Sequence, residues 1–266
     1  MTTTPPLPIP IPPLLLSTLK IQHLPTPSFH FLHPIISPPS QRPPPLPALI
    51  ATTKHRLLSS SLTVPNLLDP STHSFPTDIN NPLIRERILH IQIPVQVLDI
   101  IDIGISRGEL LGNLVGERMG ERRRGREVIR VVDEDDSEVG LDARDVGSLS
   151  STAQVRNRPV TATAETETKG PFKLLLQDHK GVHVYAFTTS ETCNAHPGSV
   201  QKIALPPCMQ MGCKMMLLPG TRVCRGMVCI EGETCVVLGG RIEGLDREWR
   251  EGWEERVRGE VERMRG

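Results

Sequence analysis

The 266-residue chain carries thirty basic and thirty acidic residues, so no global field draws in nucleic acid or anionic lipid, and any such affinity has to come from a local patch. Apolar residues make up 38% and aromatics only 3%, and 15 of the 26 prolines fall in the first 47 residues. This composition points to one compact domain of roughly 100–150 residues with partly disordered flanks, and no apolar run approaches the ~20 residues of a membrane span.

Residues 1–45 are Pro-rich. Proline removes a backbone donor and fixes φ, so a largely disordered, extended leader is expected there, either idle or read by a proline-recognising module. The patch Ile9 to Leu16 is interrupted by Pro10, Pro12 and Pro13, which excludes a secretory signal core. A small helical region is expected over 46–90. PLPALIATTKHRLLSSSLT places Leu49, Ile50, Thr53, Leu57 and Leu58 near helical spacing, and NNPLIRERIL offers Asn81 as a cap and Pro82 at the first helical position.

IPVQVLDIIDIGI (93–105) is β-branched and partly alternating, as a half-buried strand should be. The pattern then dissolves over 106–170, apart from EVIRVV (127–132). A connection that long is functional or disordered. It holds a basic cluster, GERMGERRRGRE (116–127), and an acidic one, DEDD (133–136). A partner-docking loop, a nuclear import signal, a phosphate patch and a solvated linker all fit.

FKLLLQ and VHVYAF follow, joined by Asp178-His179-Lys180-Gly181, a hairpin signal. After a loop from Thr188 to Gly212, CKMMLL and RVCRGMVCI lie about the turn Pro219-Gly220-Thr221, and Gly226 inside the latter reads as a bulge or tight bend. CVVLGG closes the sheet, and Gly239-Gly240 turns the chain out. The tail from 246 to 266 reads as one helix. Leu245, Trp249, Trp253, Val257, Val261 and Met264 form its stripe, with Asp246–Arg250 and Glu254–Arg258 as supporting pairs. Five strands in this spacing make the chain mainly β with helical flanks: an OB-fold barrel over 91–245, with 106–170 inserted between strands 1 and 2.

The six cysteines lie between Cys193 and Cys235, none as CxxC and none followed by His at a zinc-finger interval. They read as reduced, mostly buried thiols of an intracellular protein rather than as a metal site. GxSxG, HExxH, Walker and strand-borne GxGxxG motifs are absent. No catalytic residue, metal or cofactor is therefore expected. Single-stranded nucleic-acid binding remains as an alternative, with Phe172, Tyr185 and Phe187 for stacking. Tyr185 and Phe187 share one strand face, which could equally be the core.

The stretches IPVQVLDIIDIGISR, GREVIRVV, FKLLLQD, GCKMMLLPGTRVCRGMV and ETCVVLGGRIEGLDREWREG resemble the first subunit of the RecQ-mediated genome instability protein in its fungal form. LPTPSFHFL, PLPALIATTKHRLLSSSLT and FPTDINNPLIRERIL resemble that family's helical N-terminal region. The resemblance implies a non-catalytic subunit of the nuclear complex of topoisomerase III with a RecQ-family helicase, which dissolves double Holliday junctions. Barrel and insertion would contact the topoisomerase, and DNA would be met weakly or through the complex. It assigns partner contacts to Leu110, Leu111, Leu114, Arg122, Arg123, Arg124, Arg126, Asp133 and Glu134. The barrel signature is Gly212, Gly220, Gly226, Leu238, Gly239 and Gly240. SRGELLGNLVGERMGERRRGRE departs from the more acidic, Trp-containing run expected in that family.

Overall fold

The computed structural model describes residues 11–37, 44–119, 171–188, 203, 205–206 and 208–265. Met1–Val115 and Thr168–Gly266 fold as one unit and Gly116–Glu167 as another; every described strand belongs to the first. Three helices come first: α1 (Pro13–Ile21), α2 (Phe29–Ile36) and α3 (Leu46–Ser59). The expected extended leader is thereby corrected over 11–37. Pro13 is tolerated at the first helical turn, where its missing N–H would have had no partner. Ser28 caps α2, its Oγ accepting from Phe31 N at 3.1 Å. What the proline count hides is the leucines between the prolines. Leu15, Leu19 and Leu32 pack with Leu57 and Leu62 in a cluster of their own.

The second expected helix, over 81–90, does not form. Asn81 caps a turn instead, its Oδ1 accepting from Leu83 N at 3.0 Å. The chain then enters β1 (Arg87–Ile88). Strand pairing wins because this segment has a sheet edge to join, while a helix of this length has little stability of its own.

The sheet continues with β2 (Ile93–Asp102), then α4 (Arg107–Arg118), β3 (Phe172–Asp178), β4 (His183–Thr188), β5 (Lys214–Leu217), β6 (Arg222–Cys224), β7 (Met227–Ile230) and β8 (Cys235–Gly239). Its order is β1-β6-β7-β4-β3-β2-β5-β8, eight segments where five strands were expected. The difference comes from interruption. β5 pairs antiparallel with β8, and β6 with β7. The two ladders belong to one hairpin, broken at 218–221 and 231–234, where Leu218 N donates to Thr234 O at 2.8 Å. Pro219-Gly220-Thr221 is thus a kink in one bent run rather than a hairpin turn. The hairpin turn is Arg225-Gly226, with φ of 49° and 80°, the pair of left-handed residues that a type I′ turn needs. Gly226 is therefore no bulge, and a Cβ there would come within 2.7 Å of Asn80 O. β4 and β7 run parallel, β2 pairs with both β3 and β5, and the sheet curls into an OB-fold core. Val95, Val97, Ile100, Leu174, Leu176, Ala186, Met215 and Val228 fill it.

The helices join the barrel on the outer face of β2, β5 and β8. Gln96 is buried there. Its Oε1 accepts from Leu62 N at 2.9 Å, and its Nε2 donates to Ser61 Oγ at 3.0 Å and Gln177 Oε1 at 2.7 Å. Beside it in register lies Lys214, only 1% exposed, with Nζ donating to Gly212 O at 2.6 Å. Burial pulls its ammonium down to about 8. Leu238 packs on the helical cluster, and a Cβ on Gly240 would collide with the carbonyl of Leu58.

The single helix expected in the tail is two, α5 (Glu243–Glu251) and α6 (Trp253–Arg265), parted at Gly252, where helix stability is weakest. Trp249, Val257 and Val261 are buried as the stripe requires, and Met264 is exposed. Asp246–Arg250 and Glu254–Arg258 form at 3.0 and 2.5 Å.

Candidate interaction site

The connection between β2 and β3 leaves and rejoins the barrel at one point. Asp102 and Phe172 are register partners, and Ile103 N donates to Pro171 O at 3.0 Å. The outgoing chain becomes α4 at once. Ser106 and Glu109 start it as a capping box would, Ser106 Oγ accepting from Glu109 N at 3.1 Å. Arg107 Nε meets Glu260 of α6 at 2.9 Å. Trp249 Nε1 donates to Asp99 Oδ1 at 2.6 Å. Trp249 and Trp253 lie 4.7 Å apart, and the Arg256 guanidinium sits 5.1 Å over the Trp249 ring.

These side chains line a cleft of about 380 Å³, with Leu110, Leu205, Trp253 and Val257 as its apolar wall and Arg107, Arg256, Asp99 and Glu260 as its polar rim. Paired charges around aromatic and aliphatic surface suit recognition of another surface. Among the described residues no group of three His, Cys, Asp or Glu could hold a metal ion.

A second surface lies on the outer side of β3, β4 and β7. Burial along β4 alternates so that Val184, Ala186 and Thr188 point inward. Tyr185 and Phe187 therefore face outward, and the reading of their face as core is corrected. Tyr185 is 48% exposed, Lys173 Nζ lies 4.0 Å over its ring, and Leu175 and Met227 flank it in register. Phe172 is buried in the core and unavailable for stacking.

Of the expected partner contacts, Leu110 is buried in the barrel core and Leu111 and Leu114 are half-buried against it. They anchor α4 rather than stand free on a loop. Arg122, Arg123, Arg124, Arg126, Asp133 and Glu134 lie outside the described residues. The barrel signature is structural throughout: Gly212, Gly220, Gly226, Gly239 and Gly240 all have positive φ, and Leu238 contacts the helical cluster. Sequence reasoning missed α4 and the Arg107–Glu260 tie. Ser106-x-x-Glu109 followed by Leu110, Leu111 and Leu114 was the available signal. It missed the Trp249–Asp99 bond because 150 residues separate the partners.

The family model of the RMI1 N-terminal OB-fold domain matches residues 71–253. The chain belongs to this family. A comparison with curated proteins gave no match. The match begins just before β1 and ends at the first residue of α6, so it takes in the whole RMI1-type barrel and both sides of the excursion after β2. Helices α1 to α3 precede it. Among the described residues no helix is long and apolar enough to cross a membrane.

Proposed function

We propose that this protein is a non-catalytic, nuclear scaffold subunit that holds topoisomerase III together with a RecQ-family helicase and so promotes dissolution of double Holliday junctions. The observation that carries the reading is the RMI1 family match across a barrel from which one long segment departs and returns through hydrogen-bonded ends. In this reading the barrel, α4 and the C-terminal helices are the rigid support, the segment beyond Met119 is the adaptable contact, and strand passage is the topoisomerase's own. The subunit acts by binding one state of the enzyme's gate better than the other, since only differential affinity shifts such an equilibrium.

The test is co-purification with topoisomerase III and a RecQ helicase after nuclease treatment. Replacing 120–168 by a flexible linker leaves α4 and the barrel folded and lowers stimulation of decatenation. Failure of the full chain to co-purify, or full stimulation by the deletion, refutes the reading. A second reading, single-stranded nucleic-acid binding, is supported by the outward Tyr185 and Phe187 beside Lys173. Anisotropy with an oligonucleotide at two salt concentrations separates it, because phosphate-driven binding falls steeply with salt.

A further inference from the structure

We propose that Cys224 and Cys229 are a reversible redox pair on the outer face of the barrel, joined as a disulfide by hydroperoxides. The β6–β7 hairpin sets the geometry. Its type I′ turn at Arg225-Gly226 fixes the register Val223↔Val228 and Cys224↔Met227. Val223 and Val228 point into the core at 3% and 0% exposure. By strand alternation Cys224, Met227 and Cys229 therefore stand together on the opposite face. Cys229 is two residues beyond Cys224's direct partner, a diagonal neighbour within reach of long side chains. The two thiols are hydrogen-bonded to one another. Cys213 and Cys235 belong to the core cluster instead.

The two thiols differ in a useful way. Cys224 is half-exposed, while Cys229 is buried. Burial and the Cys224 contact push Cys229 up to about 11, with Arg222 pulling the other way. Cys224 is thus the thiol that meets oxidant, and Cys229 the one that resolves. The Cys224 thiolate attacks the outer oxygen of the hydroperoxide. The O–O bond breaks, a sulfenic acid forms, and water or an alcohol leaves. The Cys229 sulfur then attacks the Cys224 sulfur, the S–O bond breaks, and the departing hydroxide leaves as water with the thiol proton. Two thiols lose two electrons and the peroxide gains them. A diagonal bridge is less relaxed than a directly opposed one, which makes it labile to dithiols rather than a permanent staple. It would clamp the hairpin that pairs with β1 and backs onto Asn80.

The experiment uses the full-length reduced chain, titrated with hydrogen peroxide, alkylated and digested with trypsin. Cleavage after Arg225 puts the two cysteines on separate peptides, so only a bridge keeps them together. The expected result is loss of both alkylatable thiols, a linked peptide pair lighter by two hydrogens, and full recovery of the thiols with dithiothreitol. Cys224→Ser leaves Cys229 alkylatable at the same dose. The proposal is overturned if the wild-type chain yields no linked pair at a dose that oxidises exposed Cys208, or if either cysteine links elsewhere first. Because the wild-type digest alone decides, misfolding of the variant does not blur the result.

Discussion

Replacing Lys214 by Met tests how the helical unit and the barrel share a buried charge. The ammonium is 1% exposed, and burial lowers its pKa from 10.5 to about 8, a difference worth about 3 kcal/mol against the folded state at neutral pH. Met keeps the stem's volume but loses the bond to Gly212 O, which returns about 1–2 kcal/mol of that gain. Lys214→Met is therefore expected to stabilise the chain by about 1–2 kcal/mol at pH 7. The sign with pH follows from the same shift. Below about 8 both states hold the proton and the full cost is present. Between about 8 and 10.5 the unfolded chain still holds it and the folded chain does not, so wild-type stability rises with pH. Cys229 and Cys235, pushed up by burial to about 11 and about 12, work the other way. The unfolded chain releases those protons from about 9 upward, and stability falls there. Wild type and variant share the cysteine contribution, so their difference isolates the lysine. Urea unfolding of both proteins in reducing buffer at pH 7 and 9.5 reads it. The gap should shift toward wild type by about 2 kcal/mol. A gap that does not move with pH, or a variant already less stable at pH 7, refutes the assignment.

Gly240→Ala puts a methyl on a residue with φ of +93° against the Leu58 carbonyl. It should cost about 2–3 kcal/mol in thermal or urea unfolding. Trp249→Phe removes the 2.6 Å bond to Asp99 and should cost about 1–3 kcal/mol, because a half-buried carboxylate oxygen loses its donor. Leu110→Ala empties a buried contact of α4 and should lower stability by about 2–3 kcal/mol. A cost under about 0.5 kcal/mol would instead make Leu110 a free partner contact.

Where local pattern and tertiary context agreed, the sequence was legible. The alternation of Phe172–Asp178 and the Asp178–Gly181 turn predict the β3–β4 hairpin, and the stripe Trp249, Val257 and Val261 predicts the buried side of the tail. Three kinds of information were not legible. Proline density obscured the N-terminal helices, since a count of prolines does not say that Pro13 falls at a helix start. Residues 81–90 carry genuine helix-start signals, but an edge of the sheet captures them. Cross-chain polar bonds such as Gln96 with Leu62, or Trp249 with Asp99, depend on elements brought together only by folding.

The site shows the same division. A separation of seventy residues between two strand patterns already implied a segment held by its ends. Only the paired ends Asp102 and Phe172 make that a geometric fact. They also move the boundary of the adaptable part. Leu110 and the Arg107–Glu260 pair belong to the support, so the contact surface can begin only after α4. A deletion starting at 107 would remove a core leucine and an inter-helix ion pair together with the segment, and loss of partner binding would then report unfolding. A deletion starting at 120 removes neither, and its effect on the topoisomerase can be read as recognition.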